Sequence, residues 1–428
     1  MKRLLFLAMT LIACNVSAQS LLDVYRKGKV KLTPEASYGE GNDWTNVFDS
    51  YNDYWTTPNL DTKKYAVDRM SIVLMPDGSV VVNHPKRLYA SKFGPDGKFQ
   101  AHFSITDKSG KTKENRNIKG IINRHFFTEA DNMGQILCCD FNGNYVKTLK
   151  VNYMVRDIIP MTDSKLAVSG IVLWKGKTRI LVSILDYNTN EEKIVWDTFQ
   201  EDGTKLTIMI DENTDRDRSY FYERIKVPSF GYAAFDDGRN AGYPIIQYAN
   251  NRLVVALPSS GEIRLYDASG KLQKSQQAEW LANSVSVEEQ KEMLRNSIET
   301  YQKTALTDKV SKELAEEARK QIVTNLTERI EKINKPIVLP KFSNVLKDSD
   351  GNLLFFEFPK EKGRNKFNVW IFRDGGQFEC QSSFECDEFD LSITPAKMVF
   401  HNGYIYALQK AKNVDGIPLR LVKFRLGN

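Results

Sequence analysis

The 428-residue sequence is short of the residues that metal and nucleophilic sites draw on: four histidines and five cysteines are scattered along it, too few and too far apart for a zinc cluster. It also lacks an excess of one charge. Lys and Arg total 60 against 54 Asp and Glu, a formal net charge of +6, and acids and bases interleave along nearly the whole chain. There is therefore no basic stripe of the kind that holds nucleic acid. Beyond the N-terminus no hydrophobic run is long enough to span a bilayer. A Ser elbow, a His-Glu-x-x-His pair, a phosphate-cradling glycine loop and a Cys-x-x-Cys pair are absent, so no motif calls for a cofactor. What is present is an ordinary globular composition, 41% hydrophobic and 27% charged. The length holds two or three average domains, or one large all-β domain with an insertion.

Met1 to Ser20 runs from a basic start, Lys2 and Arg3, through an apolar stretch from Leu4 to Ala13 into small residues. That is the order of a secretory signal, and the stretch is too short for a transmembrane anchor. Two processing sites are open. Val16-Ser17-Ala18 before Gln19 suits signal peptidase and makes residues 1–18 a signal peptide; Leu11-Ile12-Ala13-Cys14 suits a lipobox whose Cys14 would be acylated and would anchor the protein to a membrane. Either way the expected location is exported: periplasmic, or associated with an outer membrane or cell surface. Loss of residues 1–18 removes two positive charges, which weakens further any electrostatic argument about partners. Of the remaining cysteines, Cys138 and Cys139 are neighbours in an apolar run and on a strand would point to opposite faces. Cys380 and Cys386 flank five residues and either close a hairpin bridge or stay free.

The dominant pattern is short runs of Val, Ile, Leu, Phe and Tyr punctuated by Asp-Gly, Asn-Gly or Asn-Asn, the signature of antiparallel hairpins. Pro76-Asp77-Gly78 leads into Ser79 to Asn83, and Pro95-Asp96-Gly97 into Lys98 to Phe103. Asn142-Gly143, Asp163-Ser164, Asn250-Asn251, Ser269-Gly270, Asp350-Gly351 and Asn402-Gly403 punctuate the runs that follow. Six units of turn, strand, strand, turn and strand recur, and with the runs outside them about two dozen strands are expected. Asp77-Gly78-Ser79-Val80-Val81-Val82, Asp350-Gly351-Asn352-Leu353-Leu354-Phe355 and Asn402-Gly403-Tyr404-Ile405-Tyr406-Ala407 resemble the inner-strand motif of NHL-type and TolB-like six-bladed β-propellers, a class that includes exported Bacteroidetes proteins of poorly defined role. The resemblance covers roughly residues 65–275 and 336–426 and lies in structural turns. It implies an all-β, six-bladed propeller over 65–428 and carries over no catalytic or ligand residue. The spacing departs from the family between the Asp163 and Asn251 units, where a blade is degenerate or enlarged. A pair of β-sandwiches is the alternative architecture.

Two segments break the rhythm. Ser286 to Asn334 contains no Gly or Pro, and Val310, Leu314, Ala318, Ile322, Leu326, Ile330 and Ile333 recur at helical spacing, with Thr307 or Asp308 as a cap and Lys335-Pro336 as the stop. This predicts a helical hairpin inserted over 286–334, lying against the propeller rim or docking a protein partner. In the N-terminal segment 19–64, Trp44, Phe48, Tyr51 and Trp55 share one helix face amid Asn and Asp. They form either a stacking platform for sugar rings or a plug of core aromatics.

Three further constellations bear on function. Asp211, Asn213, Asp215 and Asp217 have the alternation of a calcium loop, but Arg216 stands where such loops need Gly and Tyr222 where the bidentate Glu belongs. Arg216, Arg218 and Arg224 offer the acids surface partners instead. Asp236-Asp237, or Glu385 with Asp387, would suit acid/base chemistry, although Asp236-Asp237-Gly238 is more simply a turn. His84 and His401 fall beside the expected inner strands, where a channel-facing imidazole would serve as base or ligand; His102 and His125 lie elsewhere. These residues support three functional classes: a non-enzymatic propeller binding a carbohydrate or protein ligand, a hydrolase or lyase with carboxylates on the channel, and a structural subunit docked through the helices.

Overall fold

The computed structural model describes residues 20–48, 70–83, 89–112, 117–131, 134–174, 177–198, 243–279, 284–303, 306, 311–357, 366–373, 376–415 and 417–427. The signal segment, Cys14, Tyr51, Trp55, His84, the Asp211 to Asp217 stretch and Asp236-Asp237 lie outside them. The chain begins with helix α1 (Leu21–Arg26), strand β1 (Val30–Pro34) and helix α2 (Trp44–Phe48). Sheet I follows with β2 (Ser71–Leu74), β3 (Val80–Asn83), β4 (Ala90–Phe93) and β5 (Phe99–Phe103). Sheet II has β6 (Ile118–Ile122), β7 (His125–Thr128), β8 (Gln135–Cys139) and β9 (Tyr145–Lys150). Sheet III has β10 (Met154–Thr162), β11 (Lys165–Trp174), β12 (Lys177–Asp186) and β13 (Glu192–Asp197), and sheet IV has β14 (Ile245–Ala249), β15 (Arg252–Leu257), β16 (Glu262–Asp267) and β17 (Leu272–Gln277). A two-stranded ribbon, β18 (Ser284–Val285) with β19 (Ile337–Val338), brackets helices α3 (Val287–Lys303) and α4 (Lys312–Lys332).

The remaining strands form one nine-stranded sheet with two halves. The first is β20 (Phe342–Lys347), β21 (Leu353–Glu357), β22 (Lys366–Arg373) and β23 (Gln377–Glu385). The second is β24 (Phe389–Asp390), β25 (Met398–His401), β26 (Tyr404–Ala411) and β27 (Leu419–Gly427), and β1 joins the halves. Sheets I to IV and the β20–β23 half are antiparallel meanders, whereas β1 pairs antiparallel with β27 and parallel with β23. Each first strand touches the first strand of the next sheet, from β2 through β6, β10, β14, β20 and β25 back to β2, so the sheets close a ring. This is a β-propeller.

The ring follows from sheets that are apolar on both faces. On β3, Val80 and Val82 point into the cluster shared with the C-terminal strands, while Val81 points the other way, into the cluster shared with sheet II. Cys138 and Cys139 divide in the same manner, Cys138 toward sheet III and Cys139 toward sheet I, as their adjacency on a strand requires. Burial pushes both thiols up to about 12. Cys380 and Cys386 run along one extended segment rather than across a hairpin. Six residues of strand separate their Cα atoms by about 20 Å, far beyond disulfide reach, and all four described cysteines are free.

Turns are built from the expected residues. Asn123-Arg124, Asn250-Asn251 and Asn402-Gly403 have positive φ at both central positions, the type I′ geometry that suits the twist of a hairpin. Elsewhere an aspartate accepts from backbone N–H groups two and four residues on: Asp140 from Asn142 and Asn144, Asp267 from Ser269 and Lys271, Asp348 from Asp350 and Asn352, all within 3.0 Å. Gly143 follows one such aspartate at φ 88°, where a Cβ would sit 2.1 Å from the Ser104 carbonyl oxygen of sheet I. That close approach belongs to a contact repeated around the ring, in which the end of one outer strand meets the last turn of the next sheet. Thr106 donates to Gly143, Lys150 and Asn190 exchange two hydrogen bonds, the Lys193 ammonium donates to Ser269, Gln276 to Gly376, and Gly39 to Asp96.

Three expectations change. Strand β1 lies in the N-terminal segment 19–64, yet it pairs antiparallel with β27 from Lys31↔Gly427 to Pro34↔Phe424, so backbone hydrogen bonds cross the boundary expected at residue 65. The second helix of the hairpin starts at Lys312 and not at Thr307 or Asp308. Ser311 caps it, its Oγ accepting from Leu314 N at 3.2 Å. Finally, α3 and α4 pack chiefly on each other through Leu294, Ala315 and Leu326, and none of the clusters between sheets includes a residue of either helix.

Two outcomes follow. The Ser269 hydroxyl, the Lys271 and Ser269 N–H groups and Gln273 hold the Asp267 carboxyl down to about 2. A folded value below the unfolded one means its stabilisation is present above the usual carboxylate range and is lost as pH falls toward 2. Carboxyl NMR titration should place the midpoint near 2, and an ordinary value near 3.9 would dismiss the turn as its cause. Replacing residues 286–336 by a two-residue turn on the β18–β19 ribbon should leave the β-sheet circular dichroism and a cooperative melt; loss of that melt would make the hairpin part of the core.

Candidate binding face

The two ends of the sheets differ. At one end lie the tight turns between first and second strands and between third and fourth strands. At the other, the connection end, the second and fourth strands finish, and from strand ends there the chain leaves for the long intervals 35–70, 198–244 and 278–341. The tight-turn ends meet one another around the ring: Asn250 donates to Gly351, Gly403 N to Ser349 Oγ at 3.1 Å, and Lys165 Nζ to the Ala268 carbonyl at 2.9 Å. The connection ends meet likewise, Lys341 N donating to the Pro258 carbonyl and Ile72 N to that of Ala396.

Polar side chains described on the connection end are paired, some of them buried and some half-exposed. Asn83, at the end of β3, spans to sheet II. Its amide donates to the Ile118 carbonyl at 2.8 Å and to Ser71 Oγ at 3.1 Å, and accepts from Ile118 N at 2.9 Å. Glu129 accepts from Asn117 and faces Lys119 Nζ at 3.7 Å. Glu357 takes Trp370 Nε1 at 3.0 Å and Asn368 Nδ2 at 2.9 Å on its two oxygens. Beside the 198–244 connection, Arg179 on β12 and Asp197 on β13 form an ion pair whose side chains are each 6% exposed. The Arg156 guanidinium lies 4.6 Å from the Tyr243 ring centroid close by.

Among the described residues, the first strands β2, β6, β10, β14, β20 and β25 carry one carboxylate, Asp157, and no cluster of His, Cys, Asp and Glu could hold a metal. Glu385 and Asp387, considered for acid/base work, instead pair with Lys29 at 2.5 Å and Lys31 at 2.6 Å on the N-terminal segment. The described histidines do not converge. His401 closes β25 at the tight-turn end, its Nε2 3.0 Å from Asn402 Nδ2, whereas the strand that precedes His84 ends at the connection end. His102 contacts Ser91 Oγ through Nδ1 at 2.9 Å, and His125 contacts the Tyr187 hydroxyl through Nδ1 at 3.0 Å.

Trp44 is half-buried. Its ring stacks on Phe48 at 5.7 Å and on Phe93 at 6.1 Å, with the Arg420 guanidinium 5.7 Å from its centroid. Of the expected aromatic helix face, the described helix thus brings Trp44 and Phe48 into the cluster between β27 and sheet I. The Asn83 clamp, the Arg179–Asp197 pair and the Glu357–Trp370 contact carry no local sequence signal, because each joins residues on different strands.

No protein family matches the sequence, and no curated protein is similar to it. Among solved structures, the chain is similar to a member of the DUF4221 family from Bacteroides vulgatus, at 10% identity over 94% of this chain and 100% of that one, with a TM-score of 0.46. It is similar also to BamB from Moraxella catarrhalis (10% identity, 85% and 84% covered, TM-score 0.30) and to a streptogramin B lyase (9%, 86% and 97%, 0.34). The fold assignment rests on the strand pairing and the closed ring, not on these likenesses.

Removing one member of a buried ion pair leaves the other charge uncompensated, so Asp197→Ala should cost about 3–5 kcal/mol in denaturant unfolding, and Arg179→Met with Asp197→Leu should recover most of it. A single-variant loss below about 1 kcal/mol would mark the pair as solvated.

Proposed function

We propose that the chain is an exported six-bladed propeller, with a helical insertion over 286–334, that works as a non-enzymatic binding module and takes a carbohydrate or protein ligand on its connection end. The blade count follows from reading the nine-stranded sheet as two blades, the second completed by β1. The observation that carries the functional reading is the inequality of the two ends: short Asp and Asn turns close one, while the strand ends that lead into the long intervals 35–70, 198–244 and 278–341 are at the other. Binding surfaces are commonly loops held by a rigid scaffold. The aromatic stretch Asp43 to Thr57 belongs to the first of those intervals, which favours an aromatic contribution to the ligand surface. A channel hydrolase or lyase needs convergent carboxylates, and among the described residues the first strands supply Asp157 alone. Export rests on the Met1 to Ala18 signal or on acylation at Cys14.

A glycan-binding screen on the processed protein, followed by hydrogen-exchange footprinting of a bound glycan, tests the reading. Binding without turnover, with protection confined to the connection end, is the expected result. Cleavage of a bound glycan, or protection at the tight turns 94–98, 140–144 and 267–271, would contradict it.

A further inference from the structure

The ring has one joint without a covalent turn. In each sheet from I to IV, and in the β20–β23 half of the nine-stranded sheet, the chain runs directly from third to fourth strand; in the second half the third strand is β27 at the C-terminus and the fourth is β1 from the N-terminus. Where the other joints have an outer strand meeting a turn, here β1 runs parallel to β23 for two residues, Val30↔Phe384 and Lys31↔Glu385. Around that joint five donors of the N-terminal segment meet carboxylates on the strands and turns of the preceding half, while Arg26 also faces Asp23 of its own segment at 3.5 Å and Ser383 Oγ donates to the Gly28 carbonyl at 3.4 Å. Leu21 N faces Asp350 at 3.3 Å, the Tyr25 hydroxyl faces Asp348 at 3.0 Å, and Arg26 faces Glu379 at 2.9 Å. Lys29 faces Glu385 and Lys31 faces Asp387. Glu379 also takes Arg373 at 3.0 Å, so it sits between two guanidinium groups. Beneath this charge row, Leu21, Leu22, Val24, Tyr25, Val30 and Leu32 fill the apolar cluster between the two halves.

We propose that residues 20–34 form a charge-held strap that opens as one unit, parting β1 and α1 from β23 and β27 while the sheets on the far side of the ring stay folded. Its lysines and Arg26 are at least half exposed, so their pairs are individually weak and screened by salt, and beside them the strap is tied to the ring by strand pairing, the Leu21 and Tyr25 hydrogen bonds and packing, with no covalent turn. Opening frees the edges of β23 and β27, which among the described strands are joined through a segment distant in sequence.

Native-state hydrogen exchange on the full chain, read by mass spectrometry at low and at 1 M salt, tests this. Amides of Val30–Pro34 should exchange through an opening of their own, faster than those of Val80–Asn83. At 1 M salt, and in the Arg26→Gln, Lys29→Gln, Lys31→Gln variant, that opening should be about tenfold more frequent, since each exposed pair contributes a factor of about two to three. Val80–Asn83 should not change. Exchange of β1 only together with Val80–Asn83 would refute a separate strap. A separate opening indifferent to salt in the unmodified protein would show that charge does not hold it, and would overturn the proposal even where the variant fails to fold.

Discussion

Each sheet in this protein has two apolar faces, and no face can be left to water. Val81 and Val82 on neighbouring positions of one strand go to different clusters, as do Cys138 and Cys139, so every sheet has to be sandwiched between two others. With twisted four-stranded meanders the arrangement that satisfies all of them is a closed ring, and a ring of separate sheets needs a last joint. β1 supplies it. The hydrophobic term favours closure without direction, and the strand register from Lys31↔Gly427 to Pro34↔Phe424 tells the ends where to meet.

Polar groups are placed accordingly. Inside the ring they are few and spent on joints: the Asn83 amide matches the two backbone groups of Ile118, Gln247 donates to the Val345 carbonyl at 3.3 Å, and Asp348 accepts from four donors although burial pushes its carboxyl upward. None of these is poised for chemistry, because each already has its partners. Both ends carry contacts between sheets, Asn250 to Gly351 at the tight turns and Lys341 to Pro258 at the other end.

The turns were the most legible part of the sequence. Asp267-Ala268-Ser269-Gly270 and Asn402-Gly403 announce a hairpin because the chemistry that makes them turn is local: a carboxylate reaching N–H groups two and four residues on, and positive φ at Asn and Gly. Helical spacing in 286–334 was readable too, although the second helix takes its cap from Ser311, whose side chain accepts from Leu314 N, and not from Thr307 or Asp308. What the pattern hid was long-range. Val30-Lys31-Leu32-Thr33-Pro34 is a short run with a terminal proline and no turn to advertise it, and its partners lie at the far end of the chain. The same holds for the candidate site. Nothing near Glu385 and Asp387 in sequence announces Lys29 and Lys31 as their partners, and nothing near Trp44 announces the Phe93 ring and the Arg420 guanidinium beside it.

The central claim is that the N-terminal strand closes the ring and that this closure stabilises the sheets it joins. Calorimetry of the chain beginning at Gln19 beside the chain beginning at Glu35 tests it most directly. The account predicts one cooperative transition for the longer chain, and for the shorter one a transition at lower temperature and with smaller enthalpy. An unchanged midpoint and enthalpy in the chain without residues 19–34 would contradict it.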